Sequence, residues 1–474
     1  MLGHAPGGKF HKFPRFRGEV LAPVGARLTV PRIEGLGVAV STLRLASLPK
    51  ALSDLLLRLD RIRLLRVALV VVALALAGVA AVWVAGTIMA RGNWPAYTDM
   101  GLYLDAADEL ANGRNPYVGA DLGLHRYPYP PLFAEIIAVL VAIFGPYASF
   151  VWIISGGAFL VASMWIMCRR FGFSVPMHWV LLASGVLLVG RTARVDLMHG
   201  QLNFMLLLLL VTGLLSWRAQ RTWTASVLWA IAICCKPFLG VVVFFLFRAG
   251  SPKTAVTTLG LSALIFGLSF LPTFPDVFET FQSWRDTTQH YASPLYAANP
   301  LNQSFYALGL RLFTDNDFSQ PWLVSPFLAA AVPVLALILA ALVFWVAARP
   351  RTASADEEGM LTLTRFGAAL GAVMSLGPVT EGDHLYFVLP GAIGAFALTW
   401  RRVREDSPAA RPWLIASAAW LVLVTVLAWP RELLLYFGDP ETWVHLRGAG
   451  ILLSGANGIL LLTAASLTAL ALRK

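Results

Sequence analysis

The sequence predicts an all-α, polytopic integral membrane protein, and three observations carry that reading. Of 474 residues, 58% are hydrophobic and 13% charged, about half the charged share of soluble domains. Twelve apolar runs follow one another from residue 67 onward, several of them long enough to cross a hydrocarbon core of about 30 Å. Lys and Arg gather at the ends of these runs, where cytoplasmic loops collect them. The net charge of +11 belongs with an anionic membrane surface, and no nucleic-acid partner is expected.

Taken in order, residues 1–49 are rich in Gly, Pro and Arg and read as poorly ordered. Leu52, Leu55, Leu56, Leu59 and Ile62 follow helical spacing with Arg58, Arg61 and Arg63 between them, which predicts an interfacial amphipathic helix. Residues 1–66 carry twelve basic side chains against Glu19, Glu34, Asp54 and Asp60, so this basic arm belongs on the cytoplasmic side. No cleavable signal peptide is visible, because the first apolar run begins near Val67 and is long enough to span. The runs then occupy about 67–90, 132–145, 148–168, 176–190, 199–216, 223–247, 254–272, 322–348, 361–377, 385–400, 413–429 and 447–471. Cys168, Cys234 and Cys235 lie inside runs and read as small hydrophobes.

Two runs are unusual. Lys236-Pro237 interrupts 223–247, leaving halves of about 18 Å, which predicts two short helices that dip in and return. Residues 132–145 are likewise short and read as a half-helix returning to its starting side. These assignments place Arg169, Arg170, Arg218, Arg221, Arg248, Lys253, Arg349, Arg351, Arg401, Arg402, Arg404 and both termini on the cytoplasmic side of an inner membrane. Counting both runs as single crossings instead would put Arg169, Arg170, Arg218 and Arg221 outside, so the first topology is preferred. The polar stretches 91–131, 191–203, 273–321, 378–384 and 430–446 then share the periplasmic side.

Residues 94–131 form a polar and aromatic island between runs. A helix opening at Thr98 and stopping at Asn112-Gly113 places Asp99, Tyr103, Ala106 and Leu110 on one face, with Asp105, Asp108, Glu109 and Asn112 opposite. Asp99 is the one carboxylate on the apolar side. It is read as a functional acid, against the plainer reading of a residue that caps its helix. Pro128, Pro130 and Pro131 hold Tyr127 and Tyr129 in an extended lead into the next helix. Arg126 has two readings, a bidentate phosphate ligand and a snorkelling interfacial Arg.

Arg191, Arg194, Asp196, His199, Gly200, Gln201 and Asn203 make the densest polar patch. It is read either as an anion site at a helix start or as an ordinary charged loop. Lys236, in an apolar run, is expected to face a cavity or a partner. His384 beside Glu381 and Asp383 is read as a phosphate or sugar ligand, or as a histidine capping a span. No phosphate loop or dinucleotide fingerprint is present, so no nucleotide cofactor is expected; a divalent metal stays open.

Asp99 with Tyr103, Asn115-Pro116-Tyr117 and Tyr129-Pro130-Pro131-Leu132-Phe133 together resemble the polyprenol-phosphate-mannose-dependent mannosyltransferases of the GT-C superfamily, which also includes mycobacterial arabinofuranosyltransferases. Gly200-Gln201 with Asn203, the break at Lys236-Pro237, Asn302-Gln303-Ser304, and Gly377-Pro378 leading to His384 extend the resemblance over residues 67 to about 400. Residues 196–203 also look like a lumen-side motif of eukaryotic dolichol-dependent glucosyltransferases. The resemblance implies a GT-C type bundle of about 12 transmembrane runs, with a short interfacial helix in a periplasmic first loop. It implies transfer of a sugar, mannose favoured, from a polyprenyl-phosphate donor to a hydroxyl of a glycolipid or glycan acceptor, with inversion.

Asp99 takes the general-base position. Arg126, Lys236, His199 and His384 are the expected donor-phosphate ligands, and Tyr103, Tyr129, Arg194, Gln201, Asn203, Asn302, Gln303 and Asp383 the substrate contacts. Asp383 departs from the family, which more often has a histidine there. Residues 1–66 would be the arm, 67–400 the catalytic module and 401–474 a C-terminal transmembrane hairpin. A carrier or flippase for lipid-linked sugars is the alternative, but the Lys-Pro break lacks the second copy that an inverted repeat would supply.

Overall fold

The computed structural model describes residues 59, 61–90, 98–119, 121–122, 125–172, 175–300, 302–350, 354–377, 380, 382–405, 410–422 and the single positions 452, 459 and 463. Most of the basic arm with its amphipathic helix, and the C-terminal hairpin beyond residue 422 apart from three positions, lie outside the described residues. Contacts divide the chain into two units after Leu45, and every described residue belongs to the second, Ala46–Lys474.

Apart from turns and short connections, the described residues are helical but for a two-residue antiparallel pair, β1 (Asp121–Leu122) with β2 (His125–Arg126), and an isolated bridge between Asn316 and Ser319. The helices are α1 (Arg63–Ala90), α2 (Asp99–Ala111), α3 (Pro131–Phe144), α4 (Ala148–Arg170), α5 (Met177–Val189), α6 (Arg191–His199), α7 (Asn203–Arg218), α8 (Thr222–Cys235), α9 (Val241–Arg248) and α10 (Pro252–Leu268). They continue with α11 (Val277–Ala292), α12 (Phe305–Phe313), α13 (Pro326–Ala348), α14 (Ala355–Met374), α15 (Leu389–Arg404) and α16 (Arg411–Val422). Proline opens α3, α10 and α13, where its missing N–H costs nothing, and Gly113 at φ +69° ends the turn after α2.

Four helical stretches, Arg63–Met89, Pro131–Arg170, Pro252–Thr273 and Pro326–Ala348, are long and apolar enough to cross a membrane, or five if the bent pair α6–α7 counts as one. The chain is therefore a multi-pass membrane protein with four or five such helices among the described residues, fewer than the twelve apolar runs in its sequence. Part of the difference is length, and part is that run 447–471 lies outside the described residues apart from three positions. Helices α5 and α8 and the stretch Pro237–Arg248 are apolar but shorter, and at 1.5 Å per residue they fall well short of about 30 Å.

Two reversals matter for the site. Pro131–Arg170 is helical throughout, yet Gly145 turns it at φ +53°. The ring of Phe133 on α3 lies 5.5 Å from that of Trp152 on α4, which a straight helix would hold about 28 Å away. The pair is a hairpin. The second reversal follows from register: Ser226 of α8 bonds the carbonyl of Thr254 at 3.3 Å, and Cys234 bonds that of Ser262 at 3.2 Å. The constant offset makes α8 and α10 parallel. The chain must come back between them, along α9, to the side it left.

Residues 273–321, expected to be a loop, are largely helical. Helix α11 packs Phe281 and Trp284 against Phe266 and Phe270 of the α10 end, and α12 is capped by the Ser304 hydroxyl, which accepts from Ala307 N–H. Helices α14 and α15 meet backbone to backbone. A Cβ added at Gly367 would collide with the Gly391 nitrogen, and one at Gly394 would stand 2.6 Å from that of Thr364. Small residues permit such approach where lipid supplies no hydrophobic drive.

Basic helix ends gather at one end of the bundle. Arg218 donates to the Arg170 carbonyl at 3.4 Å, Arg248 lies 3.9 Å over Trp345, and Arg402 pairs with Glu357 at 3.3 Å. Gly359 packs on the backbone of Phe171, tying the start of α14 to the end of α4. The polar residues singled out in the sequence lie at the other end of α7.

Candidate active site

Helix α2 sets the first side chain. It buries Met100, Leu102, Tyr103, Ala106, Ala107 and Leu110 and leaves Asp105 and Asp108 exposed, the division its residue order predicts. Asp99, in its first turn, is neither sunk nor free, with 28% of its side chain exposed.

The second component is an elbow. Residues 191–203, read in the sequence as a polar loop, instead fold into helix α6, which meets α7 at 109°. Gly200 makes the turn at φ +69° and packs on Met100, so a side chain there would be both strained and blocked. The Trp152 indole pins it by donating to the Gly200 carbonyl at 2.7 Å. The elbow presents His199, Gln201 and Asn203 in sequence to different partners.

Gln201 donates from Nε2 to Asp99 Oδ2, while its Oε1 accepts from the Tyr103 hydroxyl at 3.3 Å and, at 3.5 Å, from that of Tyr129. His199 Nδ1 stands 3.6 Å from the same Asp99 oxygen. Asn203 is fully buried and bridges two charges. Its Nδ2 donates to Asp196 Oδ1 at 2.7 Å, and its Oδ1 accepts from Lys236 Nζ at 2.8 Å.

Lys236 comes from the break after α8, where Pro237 removes a backbone donor and the chain turns extended (φ −134°, ψ 99°). Its side chain is buried, 3% exposed; the ammonium lies 5.4 Å over the Tyr129 ring and meets His384 Nε2 at 3.3 Å. Phe238 packs on the His384 ring at 5.4 Å. His384 itself is on the tight turn Gly382–Val388, held by the burial of Leu385, Tyr386 and Phe387.

Eight of the expected residues therefore join in one network: Asp99, Tyr103, Tyr129, His199, Gln201, Asn203, Lys236 and His384. It has an acidic arm at Asp99 and a cationic arm at Lys236, joined by Gln201 and Tyr129. Four others meet different partners. Arg194 lays its guanidinium 4.3 Å over Trp83 of α1. Arg126 is anchored through its backbone, whose N–H and C=O meet the Tyr291 hydroxyl at 2.9 and 2.6 Å. Asn302 and Gln303 join two segments: Thr380 N–H donates to Asn302 Oδ1 at 3.0 Å, and Gln303 N–H to the Thr380 carbonyl at 2.6 Å. The Asp383 side chain lies outside the described residues.

Arg311 completes that joint. Its Nη1 donates to the carbonyls of Ala298, Asn299 and Asn302, and burial pulls the guanidinium pKa down to about 9. On the outer face of α2, burial and the neighbouring Asp108 and Glu109 raise Asp105, whereas a hydrogen bond from Arg114 lowers Glu109. Among the described residues no three His, Cys, Asp or Glu side chains are grouped to hold a metal ion.

Two contributors had no assigned role in the sequence. Asp196, buried completely, was part of the polar patch, and its spacing of seven residues from Asn203 was the available signal. Trp152 lay in an apolar run and gave none.

The arrangement can take a proton at Asp99 and stabilise negative charge at Lys236. A family model described as glycosyltransferase family 87 matches residues 127–376, just over half of the chain. That match includes His199, Gln201, Asn203 and Lys236, and leaves Asp99 and His384 outside it. No curated protein matches the chain.

Proposed function

Because the chain belongs to glycosyltransferase family 87, a GT-C type family of membrane glycosyltransferases, we propose that it transfers a sugar from a polyprenyl-phosphate donor to an acceptor hydroxyl at the end of the bundle that holds Asp99. The observation that carries this is the two-armed network. A partly exposed carboxylate and a buried ammonium stand on either side of Tyr129, as a displacement needs one group for the incoming proton and one for the departing charge.

In this reading the acceptor hydroxyl attacks the anomeric carbon while Asp99 takes its proton. The bond from that carbon to the phosphate oxygen breaks, and its electron pair leaves with the polyprenyl phosphate. The phosphate gains one negative charge, so it needs a cation more than a proton. Lys236 supplies that cation from a buried position, where a fixed charge counts most. His384 and Asn203 hold its ammonium in place. Gln201 and His199 turn Asp99 so that its second oxygen is left for the acceptor.

A single displacement inverts the anomeric centre. Mannose is the favoured sugar, on the resemblance of the Asp99, Tyr129 and Gln201 motifs. The acceptor is a glycolipid or glycan hydroxyl, and the site end faces the periplasm while the basic end faces the cytoplasm.

Asp99→Asn is the test. The purified variant should keep its unfolding midpoint and its binding of the polyprenyl-phosphate sugar while transfer falls by about 10²–10⁴-fold, the usual worth of a general base. Transfer at the wild-type rate would remove Asp99 from that role.

A further inference from the structure

We propose that Asn203 is a positioning residue that holds Lys236 close to a buried acid without letting the two neutralise each other. The inference rests on Lys236 being the phosphate-binding cation. Asp196 is fully buried and Lys236 almost so. Isolated charges of either sign are costly there, and bringing the two near each other lowers that cost. A direct ion pair would meet that need, but it would also commit the ammonium to a protein carboxylate. The Asn203 amide stands between them instead, with its Nδ2 toward Asp196 at 2.7 Å and its Oδ1 toward Lys236 at 2.8 Å.

The orientation is fixed from both ends. A carboxylate only accepts and an ammonium only donates, so the amide can be placed in one way. Asp196 polarises the amide and the amide oxygen aims the ammonium, yet that oxygen carries only a partial charge. A phosphate arriving at Lys236 therefore does not compete with Asp196 for it. Position 203 suits this task because it opens α7, where a short polar side chain can reach back across the elbow to α6.

The test exchanges the two side chains. Asp196→Asn with Asn203→Asp conserves composition, net charge and both hydrogen bonds, but it sets a carboxylate directly on Lys236. The full chain in detergent is titrated with farnesyl phosphate, and with inorganic phosphate in a second arm to separate a lipid headgroup from the free anion. In whichever arm the wild-type protein binds, the exchanged variant should bind roughly tenfold more weakly or worse, with its unfolding midpoint close to wild type. Asn203→Asp alone should weaken binding as well, but with a lowered unfolding midpoint, because it sets a second carboxylate against Asp196.

Wild-type affinity in the exchanged variant would overturn the inference, and so would its failure to fold, since both arrangements must satisfy the same bonds. Lys236→Met separates the premise from the inference. If that variant binds phosphate as well as wild type, Lys236 is not the phosphate ligand and both fail. If it loses binding while the exchange does not, only the role of Asn203 falls.

Discussion

Gln201 can be turned only one way. The Asp99 carboxylate only accepts, so the amide nitrogen must face it, and Oε1 is left to accept from the Tyr103 and Tyr129 hydroxyls. Gln201→Glu would replace the donor with a second acceptor beside Asp99. Transfer should then fall roughly 10²-fold through misplacement of the base, measured as kcat, with donor binding at Lys236 largely unchanged. At this scale the sequence was informative where chemistry was scarce. A lone acid on an apolar face and a lysine in an apolar run are both anomalies, and Asp99 and Lys236 now stand in one network. It was uninformative where polar residues are common. Asn302 and Gln303 look like ligands in the sequence but build a joint around Arg311, and Arg194 is taken up by the ring of Trp83. Besides its local bonds to Ala297 and Ser304, Asn302 holds Thr380 from 78 residues away, and Arg194 meets its ring on another helix; no local pattern encodes these distant contacts.

Among the elements, helix limits were the most legible part, because apolar runs, prolines and glycines mark them directly. The bounds of α2, and the face it buries, follow from residue order alone. Illegible were the elbow and the loop. Residues 191–199 have too few apolar positions to announce a helix, and they are held in place by groups on other elements, the Asn203 amide at Asp196 and the Trp152 indole at Gly200. Residues 273–321 are amphipathic on short pieces, which resemble loops until α10 gives them a surface. The seam between α14 and α15 makes a sharp prediction. Gly367→Ala places a methyl on the Gly391 backbone, which cannot step aside as a side chain would, and should cost about 3 kcal/mol. A lowered unfolding midpoint in detergent checks it; an unchanged midpoint would mean the helices do not approach as described.

For the whole molecule, the arginine-bearing helix ends and the Asp99–Lys236 network lie at opposite ends of α7. Any orientation that puts the basic end in the cytoplasm therefore exposes the network to the periplasm. A cysteine at Asp317, on the exposed part of the site end, should react with a membrane-impermeant thiol reagent on intact cells. One at Gln220, exposed at the basic end, should react only after the cells are opened. The reverse pattern would invert the molecule. Cys234 and Cys235 are buried and Cys168 is partly buried, so the labelling is run in a Cys168→Ala background.

The reversal between α8 and α9 also sets an order of biosynthesis. Neither arm is long enough to be threaded through a bilayer by itself, and the tip between them carries a charge. Asn203 and Tyr129 have already been made when Lys236 leaves the ribosome, but His384 follows 148 residues later. The hairpin tip is thus completed by a segment synthesised long after it. Until that segment is made, Lys236 lacks the His384 contact, and the cationic arm is among the last parts of the network to be complete.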